Sequence, residues 1–268
     1  MEANLKPRLI TAIIAIPLLI LLIGWGHLWL FSAVFFLVSL MALREYFAMV
    51  FPGRIREQLI GIVFGSGLSL LFVTPDVFNA QLGFGLWVVM CLSIYVFMAG
   101  RLEEKLVRLA WTLLGGLYLG YLLPHWVLLF HLPQGRGWVF LVLSVIMVGD
   151  TTAYFVGQFF GKKRLAPELS PGKTLEGALG YVAGSVLAGC IGATVWMEHL
   201  SWLEAMVLSA LLSILGQVGD LFESWIKRVF AVKDSSSLLP GHGGLLDRLD
   251  SLIFPAVFTT AYVRVFHS

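Results

Sequence analysis

Residues 9–43 read LITAIIAIPLLILLIGWGHLWLFSAVFFLVSLMAL, without one acidic or basic side chain. About 20 helical residues cross the hydrocarbon core of a bilayer, so this block holds chain for two passes, parted near Gly26. Comparable uncharged runs follow from Gln58 to Pro75, Val77 to Gly100 and Leu109 to Gly135. Of the 268 residues 59% are hydrophobic and 13% charged, and the mean hydropathy is +0.89. A water-soluble fold cannot bury that much apolar surface. The chain therefore reads as an all-α, polytopic membrane protein.

Glycine, proline and charge clusters divide it into nine expected spans, near residues 9–24, 28–50, 57–74, 82–100, 106–123, 138–160, 175–197, 202–226 and 245–266. The segment at 106–130 fits either one broken helix or one and a half. Loops on the cytoplasmic side collect lysine and arginine. With nine spans and a cytoplasmic amino terminus, 16 of the 18 basic residues fall on that side and only Arg136 and Arg264 on the other. Lys6 and Arg8 before an apolar run imitate a secretory signal, but no small-residue cleavage site follows, so the first segment is expected to be a retained helix. No linker or soluble appendage interrupts the sequence. It is expected to form one integral membrane domain over 1–268, with scaffold and lipid-facing helices in 1–135 and catalytic helices in 138–268. Compactness and the lack of a targeting extension favour a bacterial inner membrane. Cys91 and Cys190 lie far apart in apolar stretches with no histidine or second thiol beside them, which indicates neither a disulfide nor a zinc site.

Acidic residues at membrane depth are the second organising feature, because each costs roughly 2.5–3.5 kcal/mol on insertion scales unless it finds a partner. Asp150 falls within the sixth span, Asp220 and Glu223 near the cytoplasmic end of the eighth, and Asp247 and Asp250 at the start of the ninth. Nothing comparable is expected in the first five. The run GDTTAYFVGQFFGKKRLAPELSPGKTLEG, residues 149–177, places Ser170, Lys173 and Thr174 just before a helix start, with Glu176 in its first turn. Free amides and the helix dipole there favour anions, although the glycine spacing of a Walker A loop is absent. An N-capping turn in a basic loop explains the same residues. The run GDLFESWIKRVFAVKDSSSLLPGHGGLLDRLD, residues 219–250, is more specific. Asp220, Glu223 and Lys227 share one helical face, and Asp247 and Asp250 repeat the three-residue spacing with Arg248 between them. Asp220, Asp247 and Asp250 form a candidate site for a hard divalent cation, while Arg228, Lys233 and the glycines around His242 suit phosphate. Ion pairs inside a helical bundle are the structural alternative. His242 fits a hydrogen-bonding loop residue, and Ser170 and Ser224 have no adjacent histidine and acid, which makes acyl-enzyme chemistry a poor reading.

The string SWIKRVFAVKDSSSLLPGHGGLLDRLD, Ser224 to Asp250, closely resembles the signature of the CDP-diacylglycerol synthases, or phosphatidate cytidylyltransferases. LAPELSPGKTLEG, Leu165 to Gly177, resembles that family's second characteristic stretch. The resemblance implies transfer of the CMP moiety of CTP to phosphatidate, giving CDP-diacylglycerol and pyrophosphate with magnesium as cofactor. The convergence of charges on the last two helices makes Asp220, Lys227, Asp247 and Asp250 the expected catalytic residues. Ser170, Lys173, Thr174, Glu176, Glu223, Ser224, Arg228, Lys233, Asp234, His242 and Arg248 would meet the substrates. Thr151 and Thr152 depart from the family pattern, which keeps Asp150 secondary. The expected partners are CTP, phosphatidate and the bilayer, not nucleic acid. Gly115, Gly116 and Gly120 permit close packing of helices within a chain or between two copies in a homodimer. An ion-coupled transporter would also carry intramembrane carboxylates, but its polar residues should divide between two related halves. A CDP-alcohol phosphotransferase would carry a DGxxAR run, which is absent, and a non-catalytic scaffold would keep the charges for structure alone.

Overall fold

The computed structural model describes residues 5–72, 77–197, 200–236, 238 and 243–267. A helix lies within each of the nine expected spans, and among the described residues six helices are long and apolar enough to cross a membrane. α2, Leu28–Val50, coincides with its expected span. The uncertain fifth span is a broken helix: α5, Leu102–Gly115, runs into a π-helical stretch, Gly116–Leu122, and then α6, His125–His131.

The chain divides into two compact units, one of residues 1–131 and 234–246, the other of 132–233 and 247–268. The first contains α1, Leu5–Trp25, then α2, α3, Ile55–Leu70, α4, Val77–Phe97, α5 and α6. Aromatic rings fill its interior, with Phe31 stacked on Phe130 at a centroid separation of 4.0 Å. Backbone carbonyls serve as interhelical partners: the Tyr46 hydroxyl donates to Trp111 O at 3.1 Å and the Trp87 indole to Phe64 O at 2.9 Å. In an apolar solvent, such bonds and close packing replace the hydrophobic drive between helices. Acidic side chains are buried here too, contrary to expectation. Glu57 meets Arg108 at 3.1 Å, and Glu45 on α2 is 5% exposed.

The second unit contains α7, Gly135–Phe160, a hairpin of β1, Arg164–Ala166, and β2, Ser170–Thr174, then α8, Leu175–Trp196, α9, Trp202–Val229, and all but the first residue of α10, Leu246–Phe266. Glycines bring α7 and α8 together. A β-carbon on Gly184 would meet Thr152 Oγ1 at 2.1 Å and one on Gly180 would meet Val156 at 2.7 Å. In that contact Thr152 donates to Gly180 O at 3.0 Å and Ser185 to Val145 O at 2.9 Å. Large apolar side chains such as Phe155, Leu179, Leu187 and Leu211 point outward, as lipid-facing residues do.

At Gly120 the missing β-carbon would sit 2.5 Å from the main-chain oxygen of Gly65, which cannot swing aside, whereas nothing lies within 4 Å of Gly67. Gly120→Ala should therefore cost about 1–3 kcal/mol. Gly67→Ala should gain about 0.5–1 kcal/mol by restricting the unfolded chain. Thermal unfolding of the two variants in detergent should separate them in opposite directions from the parent.

Candidate functional site

The last third of α9 follows Gly216 and Gly219, where small residues admit neighbouring backbones. A β-carbon on Gly219 would meet Asp250 O at 2.4 Å, and one on Gly216 would meet Ser251 O at 3.2 Å and the Tyr181 hydroxyl at 3.0 Å. α8, α9 and α10 thus close on one another where the acidic residues stand.

One group of charges is a buried chain of three. Lys227 Nζ lies 2.5 Å from Glu223 Oε2 and 2.7 Å from Asp247 Oδ1, and the Glu223 side chain is 1% exposed. The helical spacing expected between Glu223 and Lys227 is realised, and α10 supplies the third member. The second Glu223 oxygen, Oε1, is buried without a hydrogen-bond partner.

The other group surrounds a cavity of about 370 Å³ lined by Asp150, Lys173, Thr174, Tyr181, Gln217 and Asp220 and by main chain at Gly157, Gly172 and Gly177. Lys173, carried on β2, makes an ion pair with Asp220. Asp150 lies within electrostatic reach of Asp220, Lys173 and Arg248, and buried Asp250 within reach of Asp220. The carboxylates expected at one depth are therefore split between two lysines. Among the described residues no three His, Cys, Asp or Glu side chains are gathered as a ready-made metal cage.

Several residues expected to meet substrate have partners within the protein. Ser170 and Lys173 stand just before the start of α8, as expected, and are carried there on β2, because the chain after Lys163 folds back as a hairpin, with Arg164 paired to Thr174 and Ala166 to Ser170. Thr174 is the N-cap of α8 and accepts from Gly177 N at 3.1 Å, as the capping alternative required. The Glu176 carboxylate accepts from the amides of Lys162 and Lys163 at 2.9 and 3.2 Å, so it closes the corner between α7 and the hairpin. The Arg228 guanidinium donates to Leu169 O at 3.1 Å and ties α9 to the hairpin turn. Ser224 is buried on α9, Lys233 and Asp234 are exposed after it, and His242 lies outside the described residues. Asp150, secondary in the sequence, is a principal wall of the cavity beside Asp220. Tyr181 and Gln217 were missed. Both sit on glycine-rich helical faces that read as packing, and only the approach of three helices reveals the space before them.

Two comparisons bear on the arrangement. Residues 6–266 match the Cytidylyltransferase family. The chain is similar to the phosphatidate cytidylyltransferase of Synechocystis sp. at 34% identity, over 96% of this chain and 95% of that protein. It is similar to the Bacillus subtilis phosphatidate cytidylyltransferase at 30% identity over 98% and 99%, and to that of Brucella abortus at 34% over 98% and 95%.

Removing the central cation of the buried chain takes from Glu223 and Asp247 the charge they share, and breaking a buried pair typically costs about 3–5 kcal/mol. Lys227→Met should lower unfolding stability by that amount. Adding Glu223→Leu to it should restore part of the loss, which a double-mutant cycle by thermal melting would read as a coupling energy.

Proposed function

The chain belongs to the cytidylyltransferase family, and from that premise we propose that its site transfers the cytidylyl group of CTP to phosphatidate, releasing pyrophosphate and leaving CDP-diacylglycerol. The similarity to phosphatidate cytidylyltransferases over nearly the whole of each chain carries this reading. The cavity supports it: an ammonium at Lys173 and main chain at three glycines border a space within a unit of membrane-spanning helices, where a lipid phosphate and a nucleotide phosphate can both be reached.

A phosphate oxygen of phosphatidate attacks the α-phosphorus of CTP, a new phosphorus–oxygen bond forms, and the bond to the β-phosphate bridging oxygen breaks as pyrophosphate departs. Positioning and charge neutralisation carry such a transfer, and no covalent intermediate with the protein is needed. Lys173 is placed to move from Asp220 to an incoming phosphate, exchanging one anion for another. Arg248, within electrostatic reach of Asp150, adds positive charge on the α10 side. Lys227, held between Glu223 and Asp247, keeps the Asp247 carboxylate fixed at the start of α10.

The donor chemistry fits magnesium, which commonly takes one or two carboxylates together with substrate phosphates and waters. Asp220 with Asp247 or Asp250 would hold it. Once bound, such an ion neutralises charge on the reacting phosphates. The lysines and arginines of the loops support a cytoplasmic position for this end of the helices in a bacterial plasma membrane, the side that contains CTP.

Purified protein given labelled CTP, phosphatidate and magnesium should form a CDP-lipid and an equal amount of pyrophosphate, and a chelator should abolish both until magnesium is restored. Transport without pyrophosphate release would overturn the reading. Asp247→Asn should lower kcat by about 100-fold or more. Lys173→Met should raise KM for CTP or phosphatidate, and unaltered dependence on both would remove Lys173 from the phosphate contacts.

A further inference from the structure

Glu45 lies near the end of α2, far in sequence from every residue placed in the site above. Its buried carboxylate accepts four hydrogen bonds: from the hydroxyls of Ser235 at 3.1 Å and Ser236 at 2.7 Å, and from the amides of Leu245 at 2.9 Å and Leu246 at 2.8 Å. A carboxylate offers about four lone-pair sites, so these donors saturate it. Leu246 opens α10, and the amides at a helix start have no partner within the helix. The cap that usually comes from a neighbouring serine or aspartate is here delivered from 200 residues earlier in the chain. Gly244 leaves room for it: a β-carbon there would stand 1.8 Å from Ser235 Oγ and 2.7 Å from Glu45 Oε2.

We propose that Glu45 is a positioning residue for cytidylyl transfer, acting by holding residues 235, 236, 245 and 246 together and so capping the first turn of α10. Asp247 is the next residue along the backbone and Asp250 follows within one turn, so a displaced first turn displaces both carboxylates. The inference rests on the reaction proposed above for its kinetic consequence, but the clamp is testable without it. Glu45 touches no reacting atom in this role.

In Glu45→Gln the side chain keeps its shape but turns an NH2 group toward two of the four donors, one hydroxyl and one amide. Amide hydrogen exchange at residues 245 and 246 should accelerate, and kcat of the folded protein should fall by about 100-fold, the usual effect of a misplacement near 1 Å. Gly244→Ala retains Glu45 yet forces the clamp apart, and should lower kcat in the same direction. Ser235→Ala leaves both amide bonds intact and should stay within about threefold of the parent. A purely structural role would lower the melting temperature of Glu45→Gln and Gly244→Ala while leaving kcat per folded molecule unchanged. That result, or unchanged exchange at 245 and 246, overturns the proposal. If Glu45→Gln does not fold, Gly244→Ala decides by the same two measurements. A parent protein inactive on CTP and phosphatidate would instead defeat the reaction reading, leaving hydrogen exchange to judge the clamp.

Discussion

The ammonium of Lys227, lodged between Glu223 and Asp247, is the constraint on which the second unit is built. Within a bundle of lipid-facing helices an ion without a partner is costly, so the position of one fixes the positions of the others. Glu223 and Lys227 are brought together by helical spacing alone. Asp247 is not, and its arrival at 2.7 Å from Lys227 requires α10 to begin at a defined height beside α9. The glycines at 216 and 219 make that approach sterically feasible, and the same approach sets Asp250 near Asp220. Charge pairing and glycine packing therefore specify one geometry together.

The hairpin solves a related problem on the other side of the cavity. A lysine proposed to meet phosphate should not be locked among helices, yet it needs a partner while no phosphate is present. β2 presents Lys173 to Asp220 from a short antiparallel ribbon. That ribbon is anchored at three points: the Thr174 cap, the Glu176 carboxylate on the amides of residues 162 and 163, and Arg228 on Leu169 O. Thr174, Glu176 and Arg228, expected to meet substrate, thus also hold the frame that carries Lys173.

Spans were legible because uncharged runs of about 20 residues have few other uses, and the hydropathy of Leu28–Val50 marks that helix to the residue. The hairpin was not, since Pro171 and Gly172 are poor strand formers and tertiary contacts override them. Carboxylates at 150, 220, 223, 247 and 250 stood out by being charged in lipid. How they would divide between Lys173 and Lys227 did not, because spacing along a helix says nothing about a partner on another element. Glu45 was hidden for a different reason: two of its four donors are backbone amides, which leave no signature in the residue types, and all lie 190–201 residues away.

The buried chain of Glu223, Lys227 and Asp247 also bears on how such a protein can diverge. Reversing any one of the three charges, or deleting the lysine, leaves like charges facing one another inside the bundle, so such a substitution passes through a poorly folding intermediate. Exchanges at these positions are expected to be concerted, or to wait for a compensating change on the neighbouring helix. Residues on the lipid-facing surfaces carry no such linkage and are free to drift one at a time. Two tempos of sequence change are thus written into one helix, α9, whose outward face answers only to the solvent of acyl chains while its inward face answers to a partner.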